Sequence, residues 1–65
     1  MQRTIYYSPD GWNEDIVGVT RGRDDLWVVF LKESPDEMTP EEARLLVSCL
    51  IAATNEAVHL NAKRE

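Results

Sequence analysis

Three short apolar runs, then one long interval of helical periodicity, organise the chain. Residues 3–7 are rich in β-branched and aromatic side chains and lead into Ser8-Pro9-Asp10-Gly11-Trp12. There Pro9 presets φ, Asp10 suits the bridge region and Gly11 accepts a positive φ, which predicts a hairpin closed by a three-residue loop. A second run reaches Thr20, and Arg21-Gly22-Arg23-Asp24 connects it to a third, with Gly22 placed to open a two-residue type II′ turn. The expected strands cover about 3–8, 12–20 and 26–31. Residues 32–38, containing Ser34-Pro35-Asp36, read as a connecting loop.

The clearest local signal is Thr39-Pro40-Glu41-Glu42: Thr39 as N-cap, Pro40 at the first helical position, and Glu42 closing a capping box. Beyond it there is no Pro or Gly. Apolar or small residues recur at Ala43, Leu46, Val47, Leu50, Ala53, Thr54, Ala57 and Val58, the spacing of a buried helical stripe. Lys63 and Arg64 complement the macrodipole at the far end. The expected helix covers about 40–62. The fold class is therefore α+β, a three-stranded antiparallel meander followed by one long helix, ordered βββα. The 65 residues form one domain, 1–65, because a second would need roughly 100 more.

The pattern also sorts side chains onto faces. With Gly22-Arg23 as the turn, Val19 faces Leu26 and Val17 faces Val28, so Val17, Val19, Leu26, Val28 and Phe30 share one face with Ile5 and Tyr7. This is the face expected to receive the helix. Alternation then places Tyr6, Trp12, Ile16, Trp27, Val29 and Leu31 on the other face, which is also apolar and is expected to bind a partner. Trp12 and Trp27 are the natural anchors of such a contact.

About 23 helical residues span roughly 34 Å, whereas six-residue strands span roughly 20 Å. The helix should overhang its sheet. Leu45, Cys49, Ile51, Ala52 and Leu60 lie beside the main stripe and widen the apolar surface. Leu45, Cys49, Ala52 and Leu60 are the expected helix contacts of a homodimer, with the sheet face as the other possible seam. A chain this short buries only about 60% of its unfolded surface, so self-association or a partner is a natural supplement.

Composition narrows the chemistry. Twelve acidic residues against seven basic give a net charge of −5, and the sequence pI is about 4.7, which argues against general attraction to phosphate backbones. Only Arg3, Arg21, Arg23 and Lys32 supply cations outside the helix. Cys49 and His59 are the only Cys and His. They stand about 15 Å apart along a helix, too far for a nucleophile–base pair. No metal-ligand spacing, phosphate loop or catalytic motif is present, so neither enzyme activity nor a cofactor or metal is expected. No uninterrupted apolar run approaches the roughly 18 residues of a membrane span, and no export signal is visible. With a lone thiol, this leads to an expected cytoplasmic location, that of the host cell for a phage-encoded protein.

The acidic residues are unevenly placed. Glu33, Asp36, Glu37, Glu41 and Glu42 occupy ten residues without Lys or Arg, and Asp24 and Asp25 extend the set. Helix-terminal charge placement explains part of this. The same cluster can also serve as an acidic rim that occupies a basic groove, such as that of a nucleic-acid-processing enzyme. The expected function is that of a small acidic regulator or inhibitor that binds another protein. Compact acidic domains with which phages and mobile elements block host enzymes share this general character. The alternative is a structural or assembly subunit that self-associates through its sheet face and long helix.

Overall fold

A computed structural model describes residues 3–22 and 24–63. Strands β1 (Ile5–Tyr7), β2 (Val17–Arg21) and β3 (Trp27–Leu31) pair antiparallel in the order β1-β2-β3, and one helix, α1 (Pro40–Lys63), follows. The architecture is the α+β, βββα meander.

The start of α1 is locally determined. The Glu42 N–H donates to Thr39 Oγ1 at 3.1 Å, and the Thr39 N–H donates to Glu42 Oε1 at 2.9 Å, so the capping box is closed in both directions. Glu41 and Glu42 in the first turn and Lys63 in the last complement the helix dipole. Twenty-four residues make a helix of roughly 36 Å, while five-residue strands span roughly 17 Å. The long dimension of the molecule, 41 Å, follows from this overhang.

The core lies between the sheet and α1. Ile16, Val17 and Val19 meet Leu46, Cys49, Ala53 and Ala57, with Ile5, Tyr7, Trp12, Trp27, Val29, Met38, Leu50 and Leu60 packed around them. Small residues at Ala53 and Ala57 allow α1 close to β2, where Val17 and Val19 are fully enclosed.

The first connection differs from the sequence expectation. Tyr7 pairs with Val17 and Ile5 with Val19, so the connection runs over residues 8–16 instead of three residues. The turn itself forms within it: the Trp12 N–H donates to the Pro9 carbonyl at 3.0 Å, and Gly11 takes φ 82°. Asn13, Glu14 and Asp15, all exposed, stay out of the ladder. Trp12 is consequently a loop residue. Ile16 is enclosed although strict alternation places it outside. Its N–H donates to the Tyr7 carbonyl at 3.0 Å, so Ile16 and Val17 both oppose Tyr7 in the manner of a β-bulge, which re-aims Ile16 toward the core.

The second connection changes the faces. Asp25 N–H donates to the Gly22 carbonyl at 3.2 Å, and Gly22 N–H donates to the Leu26 carbonyl at 2.6 Å. The positive φ is taken by Asp25 (65°), not by Gly22, and Asp is among the few residues that tolerate it. The two-residue Gly22-Arg23 turn is therefore replaced by a longer connection closed by the Gly22–Leu26 bond; Arg23 itself lies outside the described residues. Val17 now pairs with Leu31, Val19 with Val29 and Arg21 with Trp27. The shift from the expected register is three residues, an odd number, which turns β3 over. Trp27, Val29 and Leu31 join the helix-side face, while Val28 and Phe30 move to the outer face with Tyr6.

Candidate functional site

Two elements converge at the end of the molecule where α1 begins. The loop after β1 brings Gly11, Trp12, Asn13 and Glu14 against Pro35, Glu37 and Glu42, around an open recess of about 460 Å³. A neighbouring recess is lined by Trp12, Glu14, Ile16, Glu33, Ser34 and Pro35. Trp12 thus stands between two acidic hollows, partly buried against the core on one side. Antiparallel connectivity explains the convergence: the β1–β2 loop and the β3–α1 loop leave the sheet at the same end.

This geometry divides the acidic set inferred from sequence. Glu33, Glu37 and Glu42 come together around Trp12, and Glu14, which the sequence reading passed over, joins them. Asp36 and Glu41 are exposed on the same loop and first helical turn. Asp24 and Asp25 belong to the β2–β3 tip at the opposite end of the sheet, and Asp25 pairs with Arg21 across that tip. They are not part of one continuous rim. Asn13-Glu14-Asp15 could have been recognised as a loop, since three consecutive polar residues interrupt any apolar alternation.

The outer sheet face is smaller than the register of the sequence reading implied. Tyr6 and Phe30 meet edge to face with ring centroids 6.4 Å apart and planes at 79°. Between their strands Gly18 leaves room for the Phe30 ring, which a Cβ would approach to 2.4 Å. Lys32 Nζ lies 5.2 Å from the Tyr6 ring centre, within cation–π range. The Thr4 and Thr20 hydroxyls hydrogen-bond at 3.2 Å. Of the six residues assigned to this face by sequence, Tyr6 remains there. Ile16, Trp12, Trp27 and Val29 pack against the core, and Leu31 is exposed on the helix-side face.

The helix also presents a different seam from the expected one. Cys49 is buried, Leu60 packs on the core and Leu45 is half-buried, so that of the four expected dimer contacts only Ala52 is exposed. Val47, Ile51 and Val58 are 53%, 56% and 61% exposed and, with Thr54, form a second stripe. By length and composition α1 is capable of crossing a membrane, with a mean hydropathy of 1.3 over 18 residues, of which 22% are buried within the chain. Here it packs on the sheet.

Chemistry at the core edge is muted. Burial pushes the Cys49 thiol above its ordinary value. The Tyr7 hydroxyl is also raised, first by burial and then by the nearby Glu56 and Cys49. A raised thiol is a weaker nucleophile at neutral pH. Among the described residues no group of three His, Cys, Asp or Glu side chains is placed to hold a metal ion.

Comparison of the chain with protein-family models, with curated proteins and with solved structures finds no match.

Proposed function

We propose that this protein is a small acidic regulator or inhibitor that works by binding a basic surface of another protein, without catalysis of its own. The observation that carries this reading is the placement of Trp12 between hollows walled by Glu14, Glu33, Glu37 and Glu42. An inserted Lys or Arg would meet both an aromatic ring and carboxylates there, combining cation–π attraction with charge-assisted hydrogen bonds. The net charge of −5 adds long-range steering toward a basic partner.

The test is affinity capture from the source cells, followed by titration of the captured partner. Replacing Glu14 and Glu37 with Gln should weaken binding about tenfold or more, and rising salt should weaken the parent complex. Trp12→Ala should weaken it further. Unchanged affinity in the Glu14→Gln/Glu37→Gln variant would remove the recess from the reading. A second reading, an assembly subunit, is favoured by a separate observation, the exposed stripe along α1.

A further inference from the structure

We infer that the chain forms a two-fold symmetric dimer in which β3 pairs antiparallel with β3 of a second copy while the two α1 helices pack antiparallel beside it. This inference does not rest on the acidic recess.

The first observation is the open edge of β3. Lys32 N–H donates to the Ile16 carbonyl and Gly22 N–H to the Leu26 carbonyl, so the even-numbered residues of β3 exchange bonds with β2. Antiparallel alternation then points the N–H and C=O groups of Trp27, Val29 and Leu31 away from the sheet. Trp27 is satisfied by Asn61: its N–H donates to Asn61 Oδ1 at 2.7 Å, and its carbonyl accepts from Asn61 Nδ2 at 3.1 Å. Val29 and Leu31 meet no such partner among the described residues. The edge reads Trp-Val-Val-Phe-Leu, without charge or proline, the kind of edge that soluble proteins cover.

The second observation is the position of the exposed stripe. Asn61 is three residues beyond Val58 and seven beyond Thr54, so its side chain shares their side of the helix. Because Asn61 reaches the outer edge of Trp27, the stripe of Val47, Ile51, Thr54 and Val58 flanks the open edge. The two form one continuous surface.

Its geometry is self-complementary. The stripe's spacing of four, three and four places Val47 opposite the second copy's Val58, and Ile51 opposite its Thr54, when the helices run antiparallel. On β3, Val29 falls opposite the second copy's Leu31, which engages the outward groups of both. From the Asn61–Trp27 bond, the stripe's centre lies roughly 13 Å along α1, and Phe30, the centre of strand pairing, lies roughly 10 Å along β3. One axis serves both to within a residue of strand.

Spacing across the sheet agrees as well. α1 lies over β2 and β3. The midline of that pair stands one strand spacing from an axis just outside β3, which sets the two helices roughly 10 Å apart. That is a normal helix-packing distance.

Sedimentation equilibrium of the full chain over a concentration series, with two variants, tests the inference. The expected mass is twice the 7.5 kDa chain at micromolar concentration. Ile51→Lys should weaken the dimer at least 100-fold. Val29→Pro removes an outward N–H and should also dissociate it while the ladder to β2 stays intact; if that variant fails to fold, Ile51→Lys and Val58→Lys carry the test. A monomer at all concentrations, a dimer indifferent to Ile51→Lys, or a larger oligomer would overturn the inference. So would binding of the chain to neutral phosphatidylcholine vesicles abolished by Ile51→Lys, which would make a lipid surface the occupant.

Discussion

The two apolar stripes of α1 are alike in hydrophobicity and opposite in fate. One, Leu46, Cys49, Ala53 and Ala57, is buried; the other, Val47, Ile51, Thr54 and Val58, faces outward. The buried stripe is the smaller in side-chain volume. Alanine at positions 53 and 57 lets the helix axis approach a sheet whose own residues, Val17 and Val19, fill the space. The bulkier β-branched stripe would hold the helix farther away. Side-chain size, more than hydropathy, selects which of the two apolar stripes packs on the sheet.

Leu46→Ala against Ile51→Ser tests that contrast most severely. Leu46→Ala should cost about 2–4 kcal/mol through lost burial and a residual cavity. In a scaffold whose total stability is on the order of 3–5 kcal/mol, much of the population would unfold, which urea titration would show. Ile51→Ser, measured at concentrations low enough to keep the chain monomeric, should change stability by less than about 0.5 kcal/mol. Equal losses in the two variants would erase the distinction between the stripes.

A smaller effect sharpens where the stripes meet the sheet. Asn61→Ala removes both bonds to the Trp27 backbone and should cost about 1–2 kcal/mol. Amide exchange at Trp27 should accelerate selectively. If exchange there is unchanged, Asn61 does not hold the end of α1 to β3.

The smallest effect is on the buried side alone. Cys49 and Tyr7 both have folded-state pKa values above their unfolded ones, 9.0 and 10.0. The folded state therefore holds these protons more tightly, and stability is intact below pH 9 and falls as pH rises through 9–10 and on to the folded values. Cys49→Ala with Tyr7→Phe should flatten that alkaline decline in thermal melts between pH 8 and 11.

These contrasts also show what was legible in the sequence. The order of elements was, because the capping box at Thr39 and Glu42 and the turn residues at Gly11 and around Gly22 are local signals. The register of β3 was not. It turned on whether Gly22 or Asp25 would take a positive φ, and a three-residue difference there carried Trp27 and Val29 from one face to the other. Ile16 was lost to a bulge, which no alternation pattern announces. The acidic hollow around Trp12 was half visible: Glu33, Glu37 and Glu42 stood out as a run, whereas Glu14 joins them only through the fold. The helix stripe was misassigned because Val47 and Val58 satisfy the same periodicity as the residues that pack.

The shortness of β1 has a consequence for growth. With both β3 edges joined across a two-fold axis, the combined sheet would end on either side at Ile5–Tyr7, three residues long. So brief a strand is a poor template for further pairing, and a two-fold contact consumes the same patch on both copies. In such a dimer addition of chains would stop at two, and a sequence with a bare, uncharged edge strand would be kept from polymerising into fibres.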